Sequence, residues 1–416
     1  MKWWFRQQLY TQIFICIIIG VALGLLLGDR VTTIKPIGDI FIRLLMMLIV
    51  PLTFLTLISG VTKLDNIKSL SSIGGVTLLY YALSSLIAGA IGMGLALFFQ
   101  PGKGMTIDLA GGKPVEVAEF NLIENLVSWV PKNPVEALAT TNMLQIIVFA
   151  IIVGVTLLAM GKKAERLVLL ANDGADLMIR ITEAVMKTAP YGILALVANM
   201  IASMGVEMLR EVGTFLISHY IALSILLIFL YPLFIKYLAK LSPFKFYRNI
   251  APAMLVAAST TSSGATLPVS MNVAEENVGA PEKVWGFTLP LGATVNMNGM
   301  AACVGCIAVF SCNLYNEPIT ASRMFQFLFL GLALSVGSAG IKGAGLVMST
   351  VLLQSIGLPT TIIIPILAAI WPVLDIGNTC CNVTGDLVGT TIVASRFNML
   401  NKQIFDDKTT HLKKDE

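Results

Sequence analysis

The chain has 416 residues, of which 56% are hydrophobic and 12% are charged, and its formal net charge is +4. A composition this apolar excludes an ordinary soluble protein and is typical of a polytopic membrane protein. The positive charges are spread over end segments and short loops, so they bear on membrane topology and do not indicate a nucleic-acid partner.

The first half of the chain contains apolar runs of about 20 residues, which is long enough to cross the lipid bilayer as a helix. We predict membrane spans at 9–28, 37–61, 74–99, 141–160 and 213–235, with a further span near 176–204. The start of the chain, MKWWFRQQLYTQIF, lacks a small-residue cleavage site and runs straight into the first span, so we interpret that span as a retained helix.

Charge asymmetry predicts the topology. Lys and Arg cluster at both termini and at 63–68, 162–166 and 236–248, whereas 101–140 carries more acidic than basic residues. The positive-inside rule therefore predicts that both termini face the cytoplasm and that 101–140 is an extracellular loop. The short termini favour a bacterial inner membrane as the location.

Two stretches of the second half are too interrupted to cross a bilayer. About ten apolar residues follow Arg248 before the polar run at 260–264, and glycines and serines break the apolar run at 335–345. Both stretches predict re-entrant hairpins, at approximately 248–276 and 322–357. Each precedes a membrane helix with a predicted polar break, at 296–299 and 382–386. Two such units in the same order predict a repeat-built transporter with a site near the midplane.

The last apolar segment carries Asp375 and Asp386, and residues 360–394 contain no Lys, Arg or His. A carboxylate within the bilayer is costly and normally faces a partner or a water-filled path. Asp375, Thr379, Asn382 and Asp386 fall on one helical stripe about 16 Å long. The stripe predicts a binding surface whose cationic passenger is a metal ion, a proton or an ammonium group.

Four long motifs, STTSSGATLP, LPLGATVNMNG, SVGSAGIKGAG and LDIGNTCCNVTGD, occur in this order after residue 258. With them the chain resembles the dicarboxylate/amino acid:cation symporters, which include the glutamate transporters. The resemblance implies an all-α membrane protein with eight transmembrane helices, two re-entrant hairpins and inverted repeats, and a transporter rather than an enzyme. It also implies a homotrimer with a rigid scaffold, at approximately 1–70 and 120–210. A transport domain, at approximately 71–100 and 211–398, would move as an elevator and be gated by the second hairpin.

The same resemblance implies Na⁺ as the coupling ion, with ligands that are mostly backbone and amide oxygens. One family site corresponds to Gly292, Asn296, Asn382 and Asp386. A second corresponds to Thr294, Ser335, Val336 and Ser338. A third corresponds to Tyr81, Ser84, Ser85, Asn296 and Asn298. Because Asn298 stands where the family has a carboxylate, we expect the third site to be lost.

Family substrate positions correspond to Ser263, Met297, Met300, Ile341, Gly345, Asp375, Asn378, Thr379 and Asn382. The aspartate that receives the substrate ammonium is present as Asp375. Asn378 replaces the arginine that holds a side-chain carboxylate in acidic amino acid carriers, and Met300 replaces a threonine at the same end. We therefore expect a neutral L-amino acid, with an acidic amino acid or a dicarboxylate as the alternative.

Two other classes also use intramembrane carboxylates. An aspartyl protease needs two acids about 3 Å apart, which an unbroken helix between Asp375 and Asp386 rules out. A pore-type channel needs lining charges repeated around an axis, which one stripe does not provide. We interpret His219 as a structural histidine, and Lys342, at the tip of the second hairpin, as a side chain that snorkels into water.

Overall fold

The structure is a computed structural model that describes residues 9–62, 73–105, 127, 129–204, 207–337 and 343–406. These ranges are almost entirely helical and contain no strand. The helices are α1 (Leu9–Leu27), α2 (Lys35–Thr62), α3 (Ile73–Phe99), α4 (Pro134–Ala139), α5 (Met143–Met160), α6 (Glu165–Met186), α7 (Ala189–Met204), α8 (Glu207–Ile225), α9 (Tyr231–Tyr237), α10 (Pro243–Thr260), α11 (Ser263–Val273), α12 (Glu282–Val295), α13 (Asn298–Leu314), α14 (Ala321–Gly337), α15 (Ala344–Ser355), α16 (Thr360–Arg396) and α17 (Lys402–Asp406).

Four helical runs in the described part of the chain are long and apolar enough to cross a membrane. They are Ile73–Phe99, Glu207–Tyr237, Glu282–Leu314 and Thr360–Arg396. The remaining expected spans coincide with α1, α2, α5 and the α6–α7 pair. The all-α membrane architecture is thereby confirmed.

The predicted span near 176–204 is not one helix, and that prediction was wrong. A turn at Lys187 and Thr188 separates α6 from α7. Pro190 is the second residue of α7, and a proline there lacks the N–H that a continuing helix would need. The Thr188 hydroxyl also donates to the Val185 carbonyl, at 2.7 Å, at the end of α6. Separately, α1 packs along α7, and α2 packs along α5 and α6.

The first hairpin region consists of α10 and α11, joined at a turn in the predicted polar run. Thr261 has a left-handed backbone, with φ of 53°, and Ser262 caps α11 by accepting a hydrogen bond from the Ala265 N–H. The second hairpin region consists of α14 and α15, and Gly343, with φ of 80°, immediately precedes α15. The Gly343 N–H donates to the Asp375 carboxylate of α16 at 3.1 Å.

The two predicted helix breaks turned out differently. The first exists, because Asn296 and Met297 leave the helical region between α12 and α13. The second prediction, at 382–386, was wrong, because α16 is continuous from Thr360 to Arg396. The side chain of Asn382 accepts a hydrogen bond from the Gly299 N–H at 2.7 Å. Asn382 of α16 thus accepts a hydrogen bond from a backbone N–H at the break between α12 and α13, while the backbone of α16 itself remains helical.

Helices α3 and α13 cross at small residues, which lets their backbones approach closely. A Cβ atom on Gly92 would lie 2.1 Å from the Ala302 carbonyl oxygen, and one on Gly305 would lie 2.5 Å from the Gly89 carbonyl oxygen. No side chain larger than hydrogen fits at either position. This close crossing brings the tyrosine and serine residues of α3 against the break between α12 and α13.

Candidate ion and substrate site

At the Asp386 end of the α16 stripe the structure brings together Gly292, Asn296 and Asp386, three residues of the first predicted ion site. Asp386 is 3% exposed, and its Oδ1 accepts a hydrogen bond from the Asn296 side chain at 2.8 Å. A Cβ on Gly292 would lie 2.5 Å from the same oxygen and 2.8 Å from the Tyr81 hydroxyl. That hydroxyl donates to the Thr288 carbonyl at 2.8 Å. Glycine therefore lets backbone carbonyls and one carboxylate meet in a small space, as an oxygen-ligated cation requires.

The donor set around Asp386 fits a weakly coordinated hard cation better than a transition metal. Within the described residues there is no group of three or more His, Cys, Asp or Glu that could hold a metal ion. Asp386 takes part in neither the Lys245–Asp406 nor the Arg323–Glu317 ion pair. A cation bound here would take amide and carbonyl oxygens together with one carboxylate.

Asn298 lies at the centre of a buried hydrogen-bond network that involves the third predicted ion site. Its Oδ1 accepts from the Ser85 hydroxyl at 2.9 Å and from the Ser84 hydroxyl at 3.3 Å. Its Nδ2 donates to the Tyr231 hydroxyl at 3.0 Å, and Tyr231 in turn donates to the Cys381 carbonyl at 3.1 Å. None of these four side chains carries a formal charge, and the network reaches the Asp386 carboxylate only through Asn296, which accepts from Ser84 and donates to Asp386.

Of the residues predicted for the second ion site, the described pair Thr294 and Ser335 is not joined by a hydrogen bond. The hydroxyls of Thr294 and Ser335 each donate to a carbonyl three residues earlier in their own helices. Val336 lies beside Ser335 near the end of α14. Ser338, Ile341 and Lys342 lie outside the described residues, so the second site remains a prediction.

The Asp375 carboxylate lies at the opposite end of the stripe, beside the second hairpin. Its Oδ1 accepts a hydrogen bond from the Trp371 indole N–H at 3.0 Å, and its Oδ2 accepts from the Gly343 N–H at 3.1 Å. A Cβ on Gly345 would lie 2.2 Å from the Trp371 ring and 2.7 Å from the Met300 sulfur. The hairpin backbone is therefore packed tightly against the carboxylate, the indole and the thioether.

Met297 links the first hairpin to α16. The Asn382 amide donates to the Met297 sulfur at 3.1 Å, and the Ser263 hydroxyl lies 4.0 Å from that sulfur. Ser263 begins α11, whose N-terminal backbone amides favour a carboxylate. Thr379 is buried four residues after Asp375 on the same helix. Ser263, Met297 and Asn382 therefore lie together beside the N-terminus of α11.

Asn378 pairs with a residue to which the sequence did not assign a role in the site. Its Oδ1 lies 2.9 Å from Nε2 of His219, and both residues are buried. Trp371 and Tyr231 were also not predicted. A tryptophan four residues before Asp375 could have been recognised, since residues four apart share a helix face. No sequence signal linked Tyr231 or His219 to partners about 70 and 160 residues away.

The continuity of α16 also bears on the protease alternative. Eleven residues of unbroken helix place Asp375 and Asp386 about 16 Å apart along the axis. Two carboxylates that share one proton must lie about 3 Å apart. The aspartyl protease geometry is therefore absent from this helix.

Comparison with known proteins agrees with the architecture. The family model described as the sodium:dicarboxylate symporter family matches residues 9–396. The chain is 30% identical to the proton/sodium-glutamate symport protein of Geobacillus stearothermophilus, over 94% of this chain and 95% of that protein. It is 30% identical to the C4-dicarboxylate transport protein of Citrifermentans bemidjiense, over 95% of this chain and 92% of that protein. It is 29% identical to the C4-dicarboxylate transport protein of Pseudomonas syringae pv. syringae, over 93% of this chain and 87% of that protein.

Proposed function

Because the chain belongs to the sodium:dicarboxylate symporter family, whose members are transporters and not enzymes, we propose that it takes up a neutral L-amino acid together with Na⁺. The observation that carries this proposal is the chemistry at Asn378. Asn378, which corresponds by resemblance to the arginine of acidic amino acid carriers, is an uncharged amide bonded to the His219 imidazole. Met300, next to the hairpin backbone, is apolar as well.

The recognition of a zwitterion divides between the two ends of the site. Asp375 would exchange the Trp371 and Gly343 N–H donors for the substrate ammonium. The α-carboxylate would take the Ser263 hydroxyl, the first amides of α11 and the Asn382 amide. Charge-assisted hydrogen bonds of this kind are about twice as strong as neutral ones. The substrate side chain would then face Asn378 and Met300.

A second candidate is an acidic amino acid or a C4-dicarboxylate, and the names of the similar proteins favour it. A second substrate carboxylate buried without a cation would be strongly disfavoured. A dicarboxylate without an amine would in addition put an anion against Asp375. For these reasons we place neutral amino acids such as serine, alanine, threonine, asparagine or glutamine ahead of it.

For the ions, we propose about two Na⁺ per substrate. The oxygens around Asp386 support one site, and the carbonyls at the ends of α12 and α14 support the other. Asn298 supplies no charge for a third. The transport cycle would be the movement of a transport domain against a trimeric scaffold in a bacterial inner membrane, with both termini in the cytoplasm.

Uptake into proteoliposomes tests the proposal. Labelled L-serine should accumulate under an inward Na⁺ gradient, and an equal inward H⁺ gradient without Na⁺ should not drive accumulation. Unlabelled neutral amino acids should compete, whereas L-aspartate, L-glutamate and succinate should not. Stronger competition by an acidic compound than by every neutral amino acid would overturn the substrate assignment in favour of the second candidate.

A further inference from the structure

His219 on α8 is a fully buried imidazole that contacts Asn378, one of the predicted substrate positions. Its Nε2 lies 2.9 Å from Oδ1 of Asn378, which is itself 3% exposed. The other polar atoms of this pair, Nδ1 of His219 and Nδ2 of Asn378, have no hydrogen-bond partner among the described residues. Two orphaned polar atoms in one buried pair are costly, since each forfeits hydrogen bonds that water would supply.

The chemistry of the pair determines which amide atom is free. An amide oxygen can only accept, so Nε2 of His219 carries the proton and donates to it. The imidazole thereby holds the Asn378 oxygen on the α8 side and leaves the NH₂ group with no hydrogen-bonding neighbour among the described residues other than the Cys303 thiol, whose sulfur is a weak acceptor. In the reverse orientation the Asn378 NH₂ group would donate its hydrogen bond to an unprotonated Nε2 of His219. The tautomer of His219 therefore determines whether Asn378 offers a donor or an acceptor.

The position of Asn378 places that donor within the substrate site. It lies three residues after Asp375 and four before Asn382, so the three residues share one face of α16. A Cβ on Gly299 would lie 2.6 Å from the Asn378 carbonyl oxygen, and the Cys303 thiol lies beside its side chain. With the substrate ammonium at Asp375, the amide stands about one helical turn away, at the distance of a short side chain.

We propose that His219 is a positioning residue that sets substrate specificity. It orients Asn378 so that the free NH₂ group donates to an uncharged oxygen on the substrate side chain, a hydroxyl or a carboxamide. This inference rests on the proposed function, because it presumes an amino acid bound through Asp375. A substrate with such an oxygen accepts a hydrogen bond from the Asn378 NH₂ group, whereas an apolar side chain of similar shape leaves that group unpaired.

Binding of near-isosteric pairs tests the inference, and isothermal calorimetry on the purified protein in Na⁺ measures it. In the parent we expect L-asparagine to bind at least about tenfold more tightly than L-leucine, and L-serine more tightly than L-alanine. In His219→Leu the first ratio should fall by roughly 3- to 10-fold, because the amide is free to turn. His219→Gln, which keeps an N–H at about the position of Nε2, should restore it.

Ser218→Ala is the matched control, because Ser218 is the buried neighbour of His219 and donates within its own helix, to the Phe215 carbonyl. It should leave both ratios unchanged. In an Asn378→Leu background, His219→Leu should have no further effect on the ratios, since the two residues act as one unit. A merely structural histidine would instead lower all affinities alike and add its effect to that of Asn378→Leu.

The outcomes separate this inference from the proposed function. If the parent binds L-aspartate or succinate in preference to the neutral compounds, both the proposed function and this inference are overturned. If the parent prefers neutral amino acids but the ratios are the same in His219→Leu, this inference alone is overturned. If His219→Leu does not fold, His219→Gln and His219→Asn carry the test, since asparagine is too short to reach Asn378. Equal ratios in those two variants would then overturn it.

Discussion

Substituting Asn298→Asp should change how many charges accompany each substrate molecule. Asn298 is 0% exposed, and its Oδ1 already accepts from two serine hydroxyls, at 2.9 and 3.3 Å. A carboxylate at this position would add one negative charge at a point surrounded by hydroxyl and amide oxygens. We expect the variant to gain a third Na⁺ site and to move about three charges per neutral substrate instead of about two.

The magnitude follows from the separation of the charges. Two unit charges about 4 Å apart attract by about 4 kcal/mol at an effective dielectric constant of 20. This corresponds to roughly three orders of magnitude in Na⁺ affinity. Each extra charge also adds about 2.3 kcal/mol per 100 mV to the driving force. The lost hydrogen bond to the Tyr231 hydroxyl, 3.0 Å long, offsets about 1 kcal/mol of this gain.

Reversal potentials in proteoliposomes, measured at set Na⁺ and substrate gradients, report the charge moved per substrate. Tyr231→Phe is the matched control, because it removes the same hydrogen bond without adding a charge, and its value should stay near two. A value near three in the parent protein would refute the reasoning about Asn298. A parent value near two that does not rise in Asn298→Asp would refute the electrostatic account.

Three further predictions concern the substrate end of the site. Asp375→Asn should abolish amino acid binding and retain some Na⁺ binding, whereas Asp386→Asn should weaken the binding of both ligands, since removing one partner of a desolvated charge pair costs several kcal/mol. Titration of each purified variant with Na⁺ and with the amino acid checks this. Equal loss of both ligands in Asp375→Asn would contradict it. Asn378→Arg should add L-aspartate binding, because a guanidinium matches a second carboxylate with two hydrogen bonds; an inhibition profile with no acidic component in a folded variant would count against the substrate alignment. Gly345→Ala should weaken substrate binding at least about tenfold, since the new Cβ would lie 2.2 Å from the buried indole ring of Trp371. Gly331→Ala, on the other arm of the same hairpin, is the control. Its new Cβ would lie 3.7 Å from the nearest atom, so this variant should bind substrate as the parent does.

Hydropathy and polar interruptions predicted much of the architecture from the sequence. The first three spans were placed within about two residues of α1, α2 and α3, because the length of an apolar run matches the thickness of the bilayer. The span near 176–204 was misread because hydropathy does not register the turn before Pro190. The break at 382–386 was misread because polar residues within lipid were taken to interrupt their own helix.

The site residues that lie within a recognised motif could be predicted from the sequence. Those contributed by a helix outside the motifs could not. Asp386, Asn296 and Gly292 were expected together, and the structure brings them together. The partners of Asn298 and Asn378 were missed, because Tyr231 on α9 and His219 on α8 are far away in sequence. Hydrogen bonds between helices depend on the packing of the whole fold, which one sequence does not encode locally.

The central claim is that the protein binds a neutral amino acid through Asp375 and requires Na⁺ to do so. Calorimetric titration of the purified protein with L-asparagine, L-aspartate and succinate, each with Na⁺ and with K⁺ in its place, tests it most directly. These three compounds are close in size and differ in the side-chain charge and in the amine. The account predicts that L-asparagine binds when Na⁺ is present and does not bind when K⁺ replaces it. L-Aspartate and succinate should bind at least about a hundredfold more weakly than L-asparagine, since an unpaired buried charge costs several kcal/mol. Tight binding of L-aspartate or succinate, or binding of L-asparagine that is equal in Na⁺ and K⁺, would contradict it.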